Sequence, residues 1–235
     1  MILAAGMGTR LKPWTDLHPK ALAMVNGKTL LQRNVEYLQQ HGITEVIVNI
    51  HHFPEQIRDA VAQNNGWGSH IVFSDETRHV LETGGGLKKA ADLLKGDSAF
   101  VVVNVDILTD LNLRKMIEAH NYSRAIATLA TTERSTSRNL LFNDQDELVG
   151  WKNNNTGETK IARNAKNYIP RAFSGVHVIS DIIFPLIKQS GKFSIIDTYL
   201  DLAHDCKIKG FDHSGGKLVD VGKPESVAVA ENLFV

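Results

Sequence analysis

Ala99-Phe100-Val101-Val102-Val103-Asn104 is an apolar run without alternation. A strand with one wet face alternates apolar and polar residues, whereas a continuous run has to be covered on both faces. Such a strand needs a sheet around it and helices above and below. The chain supplies both. Ile2 to Ala5, Glu45 to Ile50 and Ile71 to Ser74 read as further strands. Leu30, Leu31, Val35 and Leu38 fall at helical spacing and His41-Gly42 closes that helix. Pro54 suits the first turn of a helix running to about Asn64, and Leu87 to Leu94 lie on another. Strands that alternate with helices predict an α/β fold with a largely parallel sheet.

From Ala125 the pattern changes. Ala125 to Thr131 reads as a strand, Thr132 to Arg138 is polar, and Leu140 to Trp151 reads as a hairpin turning at Asn143-Asp144-Gln145-Asp146. Lys152 to Arg171 is rich in Asn and Lys without an apolar period, which predicts a mobile surface loop, either a substrate lid or a disordered insertion. Phe173 to Ile179 returns as a strand. Ser194 caps a helix through Ala203, Lys207 to Phe211 is a strand, Lys217 to Val219 leads into Asp220, and Pro224 opens a final helix. No repeat or Gly/Pro-rich linker divides the chain. With 235 residues and 43% hydrophobic content, a single compact domain is the expectation.

Formal net charge is +0, so the chain lacks the overall basic footprint of a nucleic-acid or anionic-membrane binder. Any polyanion must be held by a local cluster of cations. The single cysteine, Cys206, forms no intramolecular disulfide and supports no cysteine-rich zinc site. No basic leader precedes the first strand and no apolar run is long enough to span a bilayer, so a cytoplasmic protein is expected.

The cation cluster stands near the start. The first strand breaks into Gly6-Met7-Gly8-Thr9-Arg10-Leu11, with Pro19-Lys20-Ala21-Leu22 following. Two glycines let the backbone fold tightly and turn its N–H groups onto an anion. Thr9 adds a hydroxyl, Arg10 a planar fork of donors and Lys20 a mobile point charge. The loop suits a polyphosphate, although a glycine-rich turn after a strand needs no ligand. A dinucleotide fingerprint fails because Leu11 stands where a third glycine belongs. A P-loop ending at Gly27-Lys28-Thr29 fails because Leu22 replaces its first glycine.

Leu3-Ala4-Ala5-Gly6-Met7-Gly8-Thr9-Arg10-Leu11-Lys12-Pro13 followed by Pro19-Lys20-Ala21-Leu22 resembles the signature of the sugar-1-phosphate nucleotidyltransferases, the NDP-sugar pyrophosphorylases. Leu81-Glu82-Thr83-Gly84-Gly85-Gly86, Phe173-Ser174-Gly175 and Val219-Asp220-Val221-Gly222 extend the likeness along the chain, towards the compact type that uridylylates N-acetylmuramate 1-phosphate. The resemblance implies a single-domain, Rossmann-like fold with a mixed, mostly parallel sheet flanked by helices. It also implies a nucleotide-binding half over residues 1–124 and a sugar-phosphate half over 125–235. The reaction implied is NTP plus sugar 1-phosphate giving NDP-sugar plus pyrophosphate.

In that reaction a phosphate oxygen attacks the α-phosphorus in line, so positioning and charge stabilisation replace a covalent nucleophile. By resemblance, Arg10 and Lys20 bind the phosphates as catalytic groups. Leu3, Ala4, Ala5, Gly6, Met7, Gly8 and Thr9 cradle the nucleotide, while Glu82, Thr83, Gly84 and Gly85 read the base. Asp106 and Asp220 each end an apolar strand and would hold Mg2+; either could equally be a strand-end turn or helix cap. Lys152, Ser174 and Gly175 match acceptor-binding positions. Arg138 is a candidate for a phosphate or carboxylate on the acceptor, or simply a hairpin-edge arginine. Two departures from the family pattern stand out: Val105 replaces a glycine before the first aspartate, and Trp151 replaces an acidic residue before Lys152. The expected partners are a nucleoside triphosphate and a sugar 1-phosphate, with neither nucleic acid nor membrane, for a monomer or small homo-oligomer. Alternatives are a guanylyltransferase for mannose or heptose 1-phosphate, a cytidylyltransferase using phosphocholine, and a catalytically silent subunit that senses nucleotide sugars. His51-His52 is not expected to hold a metal, since adjacent strand residues point apart.

Overall fold

The computed structural model describes residues 1–96 and 98–235. In chain order the elements are β1 (Ile2–Leu3), β2 (Met24–Val25), β3 (Lys28–Thr29), α1 (Leu30–Gln40), β4 (Glu45–Ile50), α2 (Pro54–Gln63) and β5 (His70–Asp75). Next come α3 (Glu82–Lys89), α4 (Ala91–Leu94), β6 (Ala99–Asn104), β7 (Ile107–Thr109), α5 (Leu113–Ser123) and β8 (Ala127–Thr132). The remainder are β9 (Arg138–Phe142), β10 (Leu148–Asn153), β11 (Thr159–Ile161), β12 (Ile169–Ser180), α6 (Ile195–Leu202), β13 (Ile208–Asp212), β14 (Leu218–Asp220) and α7 (Pro224–Leu233).

Ten of these strands form one mixed sheet, with β11-β10-β9-β12-β6-β1-β4-β5 as its main path. β6, β1, β4 and β5 run parallel, whereas β12 joins antiparallel to β6, β8 and β9. The continuous apolar strand lies in the middle, and its side chains divide between two cores. Val101 and Val103 pack on one face with Ile2, Val35 and Val48; Phe100 and Val102 pack on the other with Leu87, Leu129 and Tyr199. Burial on both faces is thus the reason this run does not alternate.

The helices begin as their sequences direct. The Thr29 hydroxyl accepts from Gln32 N at 3.0 Å and the Asn112 side chain from Lys115 N at 3.1 Å, while Pro54 and Pro224 occupy first turns. Ile107 to Ser123, unassigned from sequence, carries β7 and α5. Its signal was present: Asn112 caps, and Leu113, Met116 and His120 are buried at helical spacing.

One expectation is corrected. Residues 152–171 are not a plain loop: β10 runs to Asn153, Thr159–Ile161 form an edge strand on it, and β12 already starts at Ile169. An exposed edge strand buries no apolar face, so its polar sequence gives no period to read. No described helix is long and apolar enough to cross a membrane.

Candidate active site

β1 ends after two residues, and the chain leaves the sheet between β4 and β6, at the carboxyl end of three parallel strands. That is where open α/β sheets hold ligands. Gly8 sits at φ +62°, and a Cβ there would come within 2.8 Å of Thr15 Cγ2 and 3.0 Å of Lys20 Cβ. Conformation and crowding both demand glycine. The Thr15 hydroxyl (2.9 Å) and Leu11 N–H (2.8 Å) donate to the Gly8 carbonyl and lock the turn. A Cβ on Gly6, by contrast, would meet nothing within 4 Å and would project into open space. All residues from Leu3 to Arg10 line a cleft of about 630 Å³, together with Lys20, Glu82, Thr83, Asn104 and Asp106. Within it, the Ala4 and Ala5 N–H groups are already taken by the Asn49 side chain, at 2.6 and 3.3 Å. The donors left for a ligand therefore start at Gly6.

Asp106 follows β6, its carboxylate paired with the ammonium of Lys20, a residue only 7% exposed. Arg10 Nη2 lies 3.6 Å from Asp220 Oδ2. The two aspartates are backbone neighbours, but not for the reason the strand-end rule gives. β14 is outside the main sheet; it pairs antiparallel with β7, with Asp220 opposite Ile107 and Val221 N donating to the Asp106 carbonyl at 2.8 Å. A small ribbon carries the backbone of the second aspartate back to that of the first. Gly222 completes the corner, since a Cβ there would strike Arg10 Nη2 at 2.5 Å and Asp220 Oδ1 at 2.6 Å. Asp220 Oδ1 is buried and has no hydrogen-bond partner, an acceptor left over for a cation. Magnesium takes one or two carboxylates and completes its shell with water and phosphate oxygens, which fits this donor set. No cluster of three or more His, Cys, Asp or Glu suited to a metal occurs among the described residues. His51 and His52 diverge as expected, one ring bonding the Glu76 carbonyl and the other the Thr15 carbonyl.

Val105 touches the cleft lining but points most of its bulk into the core. It is 4% exposed, within the core that holds Ile2 and Val35, while the Asn34 amide donates to its carbonyl at 2.9 Å.

In the segment expected to read the base, the glycines behave differently from expectation. Glu82 (φ +59°) and Thr83 line the cleft, but Gly84, Gly85 and Gly86 are buried behind them. Added Cβ atoms would clash with the Phe193 ring at 2.4 Å, the Gly191 carbonyl at 2.2 Å and Glu76 Oε1 at 2.5 Å respectively. Close packing, rather than approach to a base, fixes these glycines. Glu76, 1% exposed, accepts from Asn49 Nδ2 (2.7 Å) and Leu81 N (3.2 Å); burial raises its pKa, against those hydrogen bonds.

A second cavity of about 420 Å³ adjoins the cleft; Arg138 and Ser194 line both. Leu140, Phe173, Ile196 and Leu200 give it an apolar lining, with Trp151, Lys160 and Asp197 beside them. Lys160 Nζ lies 5.4 Å from the Trp151 ring centroid. Of the acceptor-side candidates, only Arg138 is in either cavity lining. Lys152 is exposed on the opposite face of β10 from Trp151. Ser174 is fully buried, its hydroxyl 2.8 Å from His213 Nε2, and Gly175 (φ +73°) leaves room for the Asn104 side chain, 2.9 Å from where a Cβ would stand. Gly175 thus backs Asn104, a residue of the cleft wall, while Ser174 is packed away from it.

Fold and cleft define a nucleotide-binding α/β protein arranged for polyphosphate chemistry. Residues 1–140 match the family described as Nucleotidyl transferase, and the chain belongs to it. The chain is 30% identical to the N-acetylmuramate alpha-1-phosphate uridylyltransferase of Caulobacter vibrioides, over 98% of this chain and 94% of that protein. It is 44% identical to the enzyme of the same name from Neisseria meningitidis serogroup B over 112 residues, a match that spans 48% of each chain. Among solved structures, HddC from Yersinia pseudotuberculosis complexed with GMP-PN superimposes with a TM-score of 0.77 at 26% identity, covering 100% of this chain and 98% of that one.

Proposed function

We propose that the protein transfers a nucleotidyl group from UTP to an amino-sugar 1-phosphate of the muramate type, releasing pyrophosphate. The observation that carries this reading is the convergence of the glycine loop, Arg10, Lys20 and Asp106 on one cleft, with Asp220 paired to Arg10 at its corner and a second cavity opening beside it. The division of labour that goes with this reading gives residues 1–124 mainly to the nucleotide half and 125–235 mainly to the sugar-phosphate half, within one domain.

In the proposed reaction the α-phosphate lies over the loop and the sugar phosphate enters from the Arg138 side. An oxygen of the sugar 1-phosphate bonds to the α-phosphorus as the bond from the α-phosphorus to the β-bridging oxygen breaks, and pyrophosphate leaves opposite the attack. The nucleophile is already anionic, so no general base is needed. Lys20 neutralises charge on the transferring phosphate, and Arg10 with the Gly8 and Thr9 backbone holds the leaving pyrophosphate. Asp106 and Asp220 are the residues that would hold Mg2+, which supplies charge neutralisation across the phosphates. Glu82 and Thr83 face the base.

In the second cavity the apolar lining suits the carbon face of a pyranose, Arg138 meets the 1-phosphate, and Lys160 meets a carboxylate on the sugar. A phosphocholine acceptor fits poorly, because the Lys160 ammonium already lies against the aromatic face that a quaternary ammonium would use. A guanylyltransferase is the second reading, favoured by the guanine nucleotide in the HddC complex. A panel of four nucleoside triphosphates against neutral and carboxylate-bearing sugar 1-phosphates, scored by pyrophosphate release, tests the proposal. Release with UTP and the acidic amino sugar supports it. Activity confined to GTP supports the second reading, and no turnover with any pair points to a silent sensing subunit.

A further inference from the structure

Two buried polar side chains in the wall of the nucleotide cleft, Asn49 and Glu76, have no part in the scheme above. Asn49, on β4, and Glu76, just past β5, are 3% and 1% exposed. The Asn49 orientation is dictated by the backbone. Its Oδ1 receives the N–H groups of both Ala4 and Ala5, so its Nδ2 must face away from them, and it donates to Glu76 Oε1 at 2.7 Å. Glu76 Oε2 receives the Leu81 N–H at 3.2 Å. Leu81 is the residue immediately before α3, the helix whose first residues, Glu82 and Thr83, line the cleft.

The chain of bonds therefore runs from the end of β1, through Asn49 and Glu76, to the turn that faces the base. Each link has a fixed polarity. Both groups that face Glu76 are donors, so position 76 must present two acceptors, and a carboxylate is the side chain that does so. Gly86 has no Cβ for the same reason: one would stand 2.5 Å from Glu76 Oε1 and 3.0 Å from Asn49 Nδ2.

We infer that Asn49 and Glu76 are positioning residues that hold the phosphate loop and the base-facing turn at one fixed separation, so that the base and phosphates of a nucleotide are gripped together. The inference rests on the nucleotide-binding reading of the cleft. It specifies a consequence for the nucleotide alone, because neither residue lines the acceptor cavity.

Polarity gives the test. Glu76→Gln sets an amide N–H against either Asn49 Nδ2 or the Leu81 N–H, and Asn49→Asp sets a carboxylate against Glu76. The pair Asn49→Asp with Glu76→Gln restores every link. The carboxylate introduced at position 49 accepts from Ala4, Ala5 and the amide introduced at position 76, whose oxygen in turn accepts from Leu81. UTP binding is measured by calorimetry, with KM values for UTP and for a sugar 1-phosphate, on purified full-length protein whose fold is checked by circular dichroism. Each single variant is expected to weaken UTP binding about tenfold or more while the acceptor KM stays within about twofold. The double variant returns UTP binding to within about threefold of wild type, which is non-additivity between contacting groups. A double variant that does not fold, or that binds UTP no better than the weaker single variant, overturns the inference, as does an equal rise in both KM values. If the wild-type protein binds no nucleoside triphosphate, the reading of the cleft itself fails, which is a different result from loss of the rescue.

Discussion

The cleft and the cavity beside it are built in opposite ways. The cleft takes most of its chemistry from one contiguous loop, Leu3 to Arg10, and from two ion pairs, Lys20 with Asp106 inside it and Arg10 with Asp220 at its corner. The cavity is assembled from the run Thr136 to Leu140 and from separate residues on β10, β11, β12 and α6, a mixture of apolar and polar side chains with Lys160 half-exposed. Chemistry common to any acceptor requires the first kind of site, since a phosphate is the same whatever sugar carries it. Choice of acceptor suits the second kind, where one side chain can change without disturbing its neighbours.

If the division holds, cleft variants lose activity with all acceptors. The largest effect is expected from Asp106→Asn and Asp220→Asn, each lowering pyrophosphate release by about a thousandfold or more in a protein that circular dichroism shows to be folded. Asparagine keeps an oxygen facing Lys20 or Arg10, which alanine would not. A second expectation concerns Lys20→Met, which should cost about a hundredfold in turnover. Because it also leaves the Asp106 carboxylate without its buried partner, a loss of about 3 kcal/mol in stability should accompany it, read by urea denaturation. Normal turnover in the folded Lys20 variant would remove it from the phosphate site.

Smaller and more selective is Lys160→Gln. Its ion pairs to Glu158 and Asp197 are 4.0 and 3.9 Å long and half-exposed, so their loss should leave stability unchanged. kcat/KM for a carboxylate-bearing acceptor should fall about tenfold, with a neutral acceptor unaffected. The smallest effect lies outside both sites. His177 is buried against the Tyr199 hydroxyl, at 2.7 Å, and burial lowers its pKa to about 3. A depressed histidine contributes stability above its unfolded pKa, about 6.5, that is lost as pH falls towards the folded value. Melting temperature should therefore drop on acidification through that window, and His177→Phe should flatten the slope. An unchanged slope would show that other groups set it.

The same contrast decides what could be read from sequence. A contiguous loop keeps its spacing in the chain, so Gly6, Gly8, Arg10 and Lys20 are recognisable as one device. Asp106 and Asp220 are legible as strand-end acids, although the β7–β14 ribbon that joins them is not. The acceptor side depends on strand phase. A bulge between Leu148 and Gly150 adds one residue to β10, so Trp151 faces the cavity alongside Leu140 and turns Lys152 outward. Simple alternation from Leu148 gives the opposite answer. Lys160 sits on an edge strand whose polar sequence looks like a loop. Asn49 and Glu76 read as ordinary strand-end polar residues, and only their burial distinguishes them.

Chemistry in the cleft and choice in the cavity are tested together by a two-by-two comparison. kcat/KM is measured for Asp106→Asn and Lys160→Gln against a carboxylate-bearing and a neutral amino-sugar 1-phosphate. Asp106→Asn is expected to lower both values by the same factor, and Lys160→Gln to change their ratio. A ratio left intact by Lys160→Gln, or altered by Asp106→Asn, would contradict the division of the two sites.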